Sequence, residues 1–233
     1  MVQPAAAVSG RAARWSEHNA ARRERIVSAA IRAVEAAPAG AELSVQSIAT
    51  EAGIVRTVIY RHFEGKPDLF RAVQAQLVAT LRDRIEEELR LDRSVQEVLN
   101  AAVAACVTWA DEHPELYLAV EREVGDGRPS EMSIATEHIA QRIMWLLRLG
   151  ADMLETRIRG VDYATLETVV YGMIGQVRGT VGHWIRAPRV PAAHELASIL
   201  SRSLWFQIAG QANDIGIELD PSTALRELFA AGG

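Results

Sequence analysis

The chain has 233 residues, of which 49% are apolar and 24% charged, and its formal net charge is −5. Such a composition excludes global disorder, and the length is enough to bury a core without staples. A single cysteine excludes a disulfide framework and a multi-thiolate zinc site within one chain. The longest stretch without a charged residue is 13, from Val98 to Ala110. A membrane-spanning helix needs about 20 apolar residues, so no membrane partner is expected. No secretory signal pattern is evident at the N-terminus, and the expected location is the cytoplasm.

The acidic total conceals an asymmetry. Up to Ala75 there are ten basic and seven acidic residues; beyond it there are 15 basic and 23 acidic. A basic module on an acidic body can still meet DNA, because the local field at the phosphates decides binding. Of the 25 basic residues 24 are arginine, and Lys66 is the sole lysine.

In chain order, residues 1–21 are alanine-rich with Pro4, Ser9 and Gly10, and read as a flexible arm. Ile26, Ala29, Ala30, Ala33, Val34 and Ala37 recur at helical spacing, and Pro38 and Gly40 stop that helix. Ser44 is placed as an N-cap before Val45, Ile48 and Ala49, with Gly53 as the stop. A second short helix runs from about Val55 to Phe63, and Glu64–Asp68 breaks it before a longer one. Helices are expected at about 68–90, 95–112, 114–124, 131–156, 162–186, 192–211 and 222–230, and no window alternates with the period of a strand.

The stretch Ser44–Lys66 carries the chemistry. Two short helices meet at a turn opening on Gly53, the second packing inward through Val58, Ile59 and Phe63. That is a helix-turn-helix, whose second helix suits the major groove of DNA. Its outward positions are Arg56, Thr57, Tyr60, Arg61 and His62. A guanidinium fork matches guanine or phosphate, and hydroxyl and imidazole groups donate to phosphate oxygens. Lys66 opens the next helix, where the N-terminal dipole favours an anion.

Residues 22–73 resemble the DNA-binding region of the TetR family of bacterial transcriptional regulators. The resemblance is carried by Arg22-Arg23-Glu24-Arg25-Ile26, Ser44-Val45, Ile48-Ala49, Ala52-Gly53-Ile54, Tyr60-Arg61-His62-Phe63, Lys66 and Leu69-Phe70. It implies an all-α protein with a flexible arm over 1–21, a three-helix helix-turn-helix DNA-binding domain over 22–67, and a helical-bundle effector-binding and dimerisation domain over 68–233. It implies phosphate contacts from Ser44, Tyr60, His62 and Lys66, and base reading by Arg56, Thr57 and Arg61. The implied partners are a near-palindromic double-stranded operator, a second copy of the chain and a small effector, with no cofactor. The sequence departs from the family pattern at three places. Val55 stands where a capping serine or threonine is usual, Thr57 where glycine or proline is frequent, and Ala36–Leu43 lacks the usual glycine-aromatic turn.

In the body, Gly172, Gly175, Gly179 and Gly182 share one face of a helix. Each costs about 1 kcal/mol relative to alanine, so a helix or a bulky ligand is expected close against them. The family's dimer bundle favours packing, with Leu196, Ile199, Leu200, Leu204 and Ile208 as the partner face. Candidates for an apolar ligand pocket are Val103, Val107, Trp109, Tyr117, Met144, Trp145, Leu147 and Tyr171, each of them more readily read singly as ordinary core. Glu121, Arg122 and Arg178 are the charges expected near it. An apolar pocket suits a lipophilic effector. The Arg56–Phe63 string is similar to that of some actinobacterial lipid-metabolism regulators, which implies an acyl-type molecule. Cys106 lies on an apolar helix and reads as an inert core thiol.

Two other functional classes are disfavoured. Glu-x-x-His pairs, His-Glu-x-x-His, Gly-x-Ser-x-Gly, Gly-x-Gly-x-x-Gly and the phosphate-loop motif are all absent, so no enzyme is expected. An interaction protein that has lost DNA binding is disfavoured by Arg56, Tyr60, His62 and Lys66. The implied mechanism is a repressor released from its operator by the effector; an activator or an effector-independent regulator would share the fold.

Overall fold

The structure, a computed structural model, describes residues 6–38, 44–90, 92–122, 127–153, 163–214, 216, 218–225 and 227. Among these the regular elements are nine helices: α1 Ala6–Glu35, α2 Val45–Glu51, α3 Arg56–His62, α4 Lys66–Glu88, α5 Val95–Glu112, α6 Pro114–Glu121, α7 Glu131–Met153, α8 Tyr163–Arg186 and α9 Ala193–Asp214. An isolated antiparallel bridge, Ser94 to Ala224, ties the segment after α9 to the start of α5. The protein is all-α, as the sequence reading expects.

One boundary is corrected. Helix α1 starts at Ala6, so no unstructured arm occupies 6–21. Alanine has the highest helix propensity, so a helix forms there without the apolar stripe that a packed segment needs. The side chains of Arg11 and Arg14 lie outside the described ones, as do residues 39–43, where the unusual turn falls. The ends of the helices expected over 131–156 and 222–230 also lie outside the described residues.

The other boundaries follow from local chemistry. Ser44 has extended backbone, and its Oγ accepts the Ser47 N–H at 3.0 Å, capping α2. Gly53 turns the chain with φ +63°, a conformation that costs other residues strain. At α5 the cap is reciprocal: the Glu97 N–H donates to Ser94 Oγ at 3.2 Å, and the Ser94 N–H donates to Glu97 Oε2 at 2.8 Å. Pro114 opens α6 directly after His113, where its missing N–H is not needed.

The core is continuous. Ile26, Ile48, Ile59, Phe63 and Leu69 of the first four helices belong to the same buried cluster as Val107, Tyr117, Val120, Val181 and Leu200 of the body. Helix α5 is the axis of the body, packing against α4, α6, α8 and α9. Two buried polar side chains fasten α4 to its surroundings. Arg71 donates to the Pro129 carbonyl at 2.8 Å and pairs with Glu131 at 3.6 Å. Gln74 Nε2 donates to the carbonyls of Ala119 at 2.9 Å and Arg122 at 2.8 Å, at the end of α6.

Candidate nucleic-acid interface

Helix α3 has only seven residues, too few to be stable alone in water. Its position depends on what it buries. Ile59 and Phe63 are almost completely buried, and Val58 is half-buried. A fully buried side chain of this size contributes about 1.5–3 kcal/mol. The opposite face presents Arg56, Thr57, Tyr60 and Arg61 to solvent. His62 is half-buried at the end of the helix. Ser44 is exposed at one flank, its Oγ engaged in the cap. Lys66 is exposed at the other flank, its Nζ 5.3 Å from the centroid of Phe70. Arg56, Thr57, Tyr60 and Arg61 thus share the exposed side of α3, and Ser44 and Lys66 are exposed in the segments before and after it.

Several body arginines are paired, Arg84 with Glu112, Arg90 with Asp92, Arg93 with Glu88, Arg178 with Glu121 and Arg189 with Asp111, while others such as Arg142 and Arg202 have no acid partner among the described residues. Among the described residues Arg56 and Arg61 form no ion pair. Their guanidinium groups are left to whatever anion approaches α3.

Val55 precedes α3 with extended backbone and makes no side-chain cap, as its chemistry requires. It is 66% exposed. Thr57 is exposed one residue into the helix.

Arg23 and Asp68 are the positioning residues that sequence reasoning missed. Arg23 Nη1 donates to the His62 carbonyl at 2.6 Å, and its guanidinium lies 4.1 Å from the Phe63 ring centroid. Arg23 Nη2 donates to Asp68 Oδ1 at 3.2 Å, and the other Asp68 oxygen accepts the Glu64 N–H at 3.1 Å. One side chain of α1 therefore holds the end of α3, the 63–65 turn and the start of α4. The signal available in the sequence was only the Arg22-Arg23-Glu24-Arg25 run, which does not say which arginine faces inward. Farther along α1, Arg32 Nε donates to Glu51 Oε1 at 2.7 Å and fixes the end of α2.

Residues 26–73 match the family model described as bacterial regulatory proteins, tetR family. The match covers both reading helices, the turn between them and the start of α4. Over these residues the chain is similar to the DNA-binding region of the tetR family. An uncharacterised HTH-type transcriptional regulator of Mycobacterium tuberculosis (strain ATCC 25618 / H37Rv) is 29% identical over 204 residues, covering 86% of this chain and 83% of that one. A TetR-family transcriptional regulator from Streptomyces coelicolor superposes with a TM-score of 0.65 at 22% identity, covering 90% of this chain and 88% of that one. The regulator FadR from Bacillus subtilis, solved in complex with stearoyl-CoA, superposes with a TM-score of 0.59 at 17% identity, covering 78% and 96%.

In the body the pocket candidates do not converge. Val103, Val107, Trp109 and Tyr117 are buried together in the main core. Met144 sits in a smaller cluster with Ala140 and Val170, beside Tyr171. Trp145 is 50% exposed, with Arg142 4.5 Å from its ring centroid, and Leu147 is also exposed. Their expectation as interior lining is corrected: one and three residues beyond Met144, they point about 100° and 60° away from it. Tyr171 donates from its hydroxyl to the Glu137 carboxylate. That hydrogen bond pushes the phenol up to about 12 and holds the carboxyl below its ordinary value. Arg178 pairs with Glu121 at 3.2 Å and donates to Thr136 Oγ1 at 3.1 Å. The Tyr117 hydroxyl donates to the Arg178 carbonyl at 3.2 Å. Burial pushes Tyr117 well above the ordinary phenol range. Arg122 contributes its backbone carbonyl to Gln74.

The expected dimer face is corrected in part. Leu196, Leu200 and Leu204 are buried within the protomer, where α9 packs against α5. Their i, i+4, i+8 spacing identifies an apolar face without saying which helix covers it. Gly182 is buried too: a Cβ there would lie 3.3 Å from Arg186 Nη1 and 3.9 Å from Tyr117 Cε1. A Cβ at Gly172, Gly175 or Gly179 would meet nothing within 4 Å. Ile199 is 47% exposed, Ile208 is half-buried, and Phe206, unnoticed in the sequence, is 66% exposed. Gln176 bridges α8 to α9, donating to Ser203 Oγ at 2.9 Å and accepting from Gln207 Nε2 at 2.6 Å. Among the described residues, no helix is long and apolar enough to cross a membrane.

Proposed function

We propose that this regulator acts as a dimer that represses from a near-palindromic operator and is released by a small lipophilic effector. The observation that carries the DNA side is the exposed face of α3. Arg56, Thr57, Tyr60 and Arg61 face solvent opposite buried Ile59 and Phe63, with no acid neutralising either arginine. On this reading Arg56, Thr57 and Arg61 read bases, while Ser44, Tyr60, His62 and Lys66 hold phosphates. The head comprises residues 22–67 and the body 68–233. The site of action is the cytoplasm, at the nucleoid.

The open strip of Gly172, Gly175 and Gly179, with Ile199 and Phe206 exposed on α9, supports a second copy across α8 and α9. Two heads then meet successive major grooves. The FadR neighbour with stearoyl-CoA supports an acyl-type effector. Such a ligand favours a body state with the wrong head spacing. The Arg71 and Gln74 ties give body and α4 a shared structure through which that preference reaches DNA.

The test is selection of bound duplexes from random DNA, followed by titration of Tyr60→Ala and Lys66→Ala. Recovered half-sites with two-fold symmetry and affinity losses in both variants, with sedimentation unchanged, are the expected result. Wild-type affinity in both variants at physiological salt overturns the contact assignment, and no enrichment of any sequence overturns operator binding.

A further inference from the structure

Pro114 makes a corner between α5 and α6. A proline disfavours helical backbone in the residue before it, so His113 leaves the helix with φ −131° and ψ 58°. Its main chain is engaged on both sides: the His113 N–H donates to the Trp109 carbonyl at 2.9 Å, and the His113 carbonyl accepts the Tyr117 N–H at 3.0 Å. The imidazole lies 5.7 Å from the ring of buried Trp109, centroid to centroid. The corner is therefore held by both helices.

Three consecutive residues at this corner are tied to three different parts of the chain. Arg189, in the connection between α8 and α9, donates to the Asp111 carbonyl at 3.3 Å and to its carboxylate at 3.1 Å. Arg84 of α4 pairs with Glu112 at 3.5 Å. His113 Nδ1 lies 2.9 Å from Oε1 of Glu35, the last residue of α1.

The tie to Glu35 is the one that reaches the reading helices. Helix α1 holds the end of α3 through Arg23 and the end of α2 through Arg32. Glu35 follows Arg32 by three residues, so the helix that fixes the head is itself fastened to the body at its C-terminus. A carboxylate at that end of a helix is opposed by the dipole and calls for a cation. The basic residue of the last turn, Arg32, is engaged with Glu51. Among the described residues, the ion-pair partner of Glu35 is His113. A protonated imidazole supplies the cation, whereas a neutral one offers only an N–H.

The charged side chains on the elements packed around His113 are Glu35 of α1, Arg84 of α4, Asp111 and Glu112 of α5, Glu115 of α6, Arg186 of α8 and Arg189. Arginines and carboxylates ordinarily keep their charge between pH 5 and 8, and histidine is the residue that changes there. Arg84 and Arg189 already answer Glu112 and Asp111. The proton on the imidazole thus decides whether Glu35 is answered as well.

We propose that His113 is a positioning residue for DNA binding, whose pairing with Glu35 fastens α1 to the α5–α6 corner and makes the seating of the head depend on pH. This rests on the DNA-binding reading of the head. A head held in place loses less freedom on binding, so the tie favours operator affinity on the acid side.

The test compares the full chain with His113→Gln, Glu35→Gln and the double variant. Glutamine keeps a hydrogen-bonding side chain and removes the charge. Binding to the duplex recovered by selection, and thermal unfolding without DNA, are measured at pH 6 and pH 8. Any pH dependence arising at His62, proposed to meet phosphate, is common to all four proteins, so ratios to wild type isolate the pair. A partly exposed pair sets the scale: wild type is expected to bind up to about fivefold more tightly than His113→Gln at pH 6, with the ratio falling toward one at pH 8. Glu35→Gln is expected to match His113→Gln, and the double variant to lose nothing further. The unfolding midpoints show the same coupling between the two positions, larger at pH 6 than at pH 8. A ratio equal at both pH values overturns the proposal and leaves His113 as packing against Trp109. Glu35→Gln that keeps the wild-type pH difference overturns the pairing. Wild type that binds no duplex refutes the reading of the head, and the unfolding midpoints then decide the tie by themselves: coupling at pH 6 keeps it, and none removes it.

Discussion

Arg23 donates to the main-chain carbonyl of His62 across 2.6 Å, and this bond joins the first helix to the end of the reading helix. The carbonyl is one of those that a helix C-terminus leaves without an internal partner. A cation there satisfies it and complements the helix dipole. The same guanidinium stacks on Phe63 and pairs with Asp68.

Replacing Arg23 with alanine is therefore expected to loosen α3 without touching any residue proposed to meet DNA. Arg23 is partly exposed, so solvent screening limits the loss of stability to about 1 kcal/mol. In a chain of this size that lowers the midpoint of thermal unfolding by about 2–4 °C. Operator affinity falls about tenfold, because Arg56, Thr57 and Tyr60 are carried on a less fixed helix. Arg23→Lys keeps the charge but loses the planar fork and the stacking, so it restores little. Fluorescence anisotropy and calorimetry measure both effects. Full affinity in the alanine variant shows that Ile59 and Phe63 alone fix the helix.

At the other end of α3, Val55 leaves the helix uncapped while holding the extended backbone that a capping residue adopts, with φ −85° and ψ 148°. Val55→Ser supplies an acceptor for an N-terminal amide and is expected to raise stability by about 1 kcal/mol. Chemical denaturation is the measurement. An unchanged midpoint shows that the free amides are already satisfied.

The head was legible because its signals are local. Ser44 before Val45, Gly53 at the turn, and Ile59 and Phe63 one helical turn apart specify a cap, a left-handed residue and a buried face within twenty residues. The body was less legible because its faces are defined by partners far away in sequence. Leu200 and Ile199 are neighbours of similar chemistry, yet one is buried against α5 and the other is exposed. Periodicity shows that α9 has apolar faces, and only packing shows which helix covers each. Arg23 escaped for the same reason, since its partner Asp68 lies 45 residues away. The start of α1 escaped because an alanine-rich helix with nothing packed on it has no period to detect.

The glycines of α8 now separate into two groups with opposite expectations. Gly175→Leu and Gly179→Leu place side chains in open space within the protomer, and replacing glycine inside a helix gains about 0.8–1 kcal/mol of propensity. Each monomer is expected to remain folded or gain stability while the proposed dimer dissociates. Gly182→Leu instead drives a side chain against Arg186 and Tyr117 and is expected to destabilise the protomer by about 1–3 kcal/mol. Sedimentation velocity and thermal unfolding distinguish the two. An intact dimer in the Gly175 and Gly179 variants excludes close approach of a second copy at that strip.

Cys106 is buried in α5, and burial pushes its thiol up to about 12. At pH 8 the native thiol is therefore protonated and poorly nucleophilic, and a disulfide reagent is expected to label it only after unfolding. The sign of the pH effect follows from the same shift. Above the unfolded-state value of about 8.5 the unfolded chain loses this proton while the native chain keeps it, so fewer protons are bound in the unfolded state. The stability that Cys106 contributes is complete below about pH 8.5 and is lost as pH rises toward about 12. In denaturation curves over that interval, Cys106→Ala should show a shallower decline than wild type, by up to about 1.4 kcal/mol per pH unit. Parallel declines, or rapid native labelling at pH 8, would mean that water reaches the sulfur through openings of α5 much smaller than global unfolding.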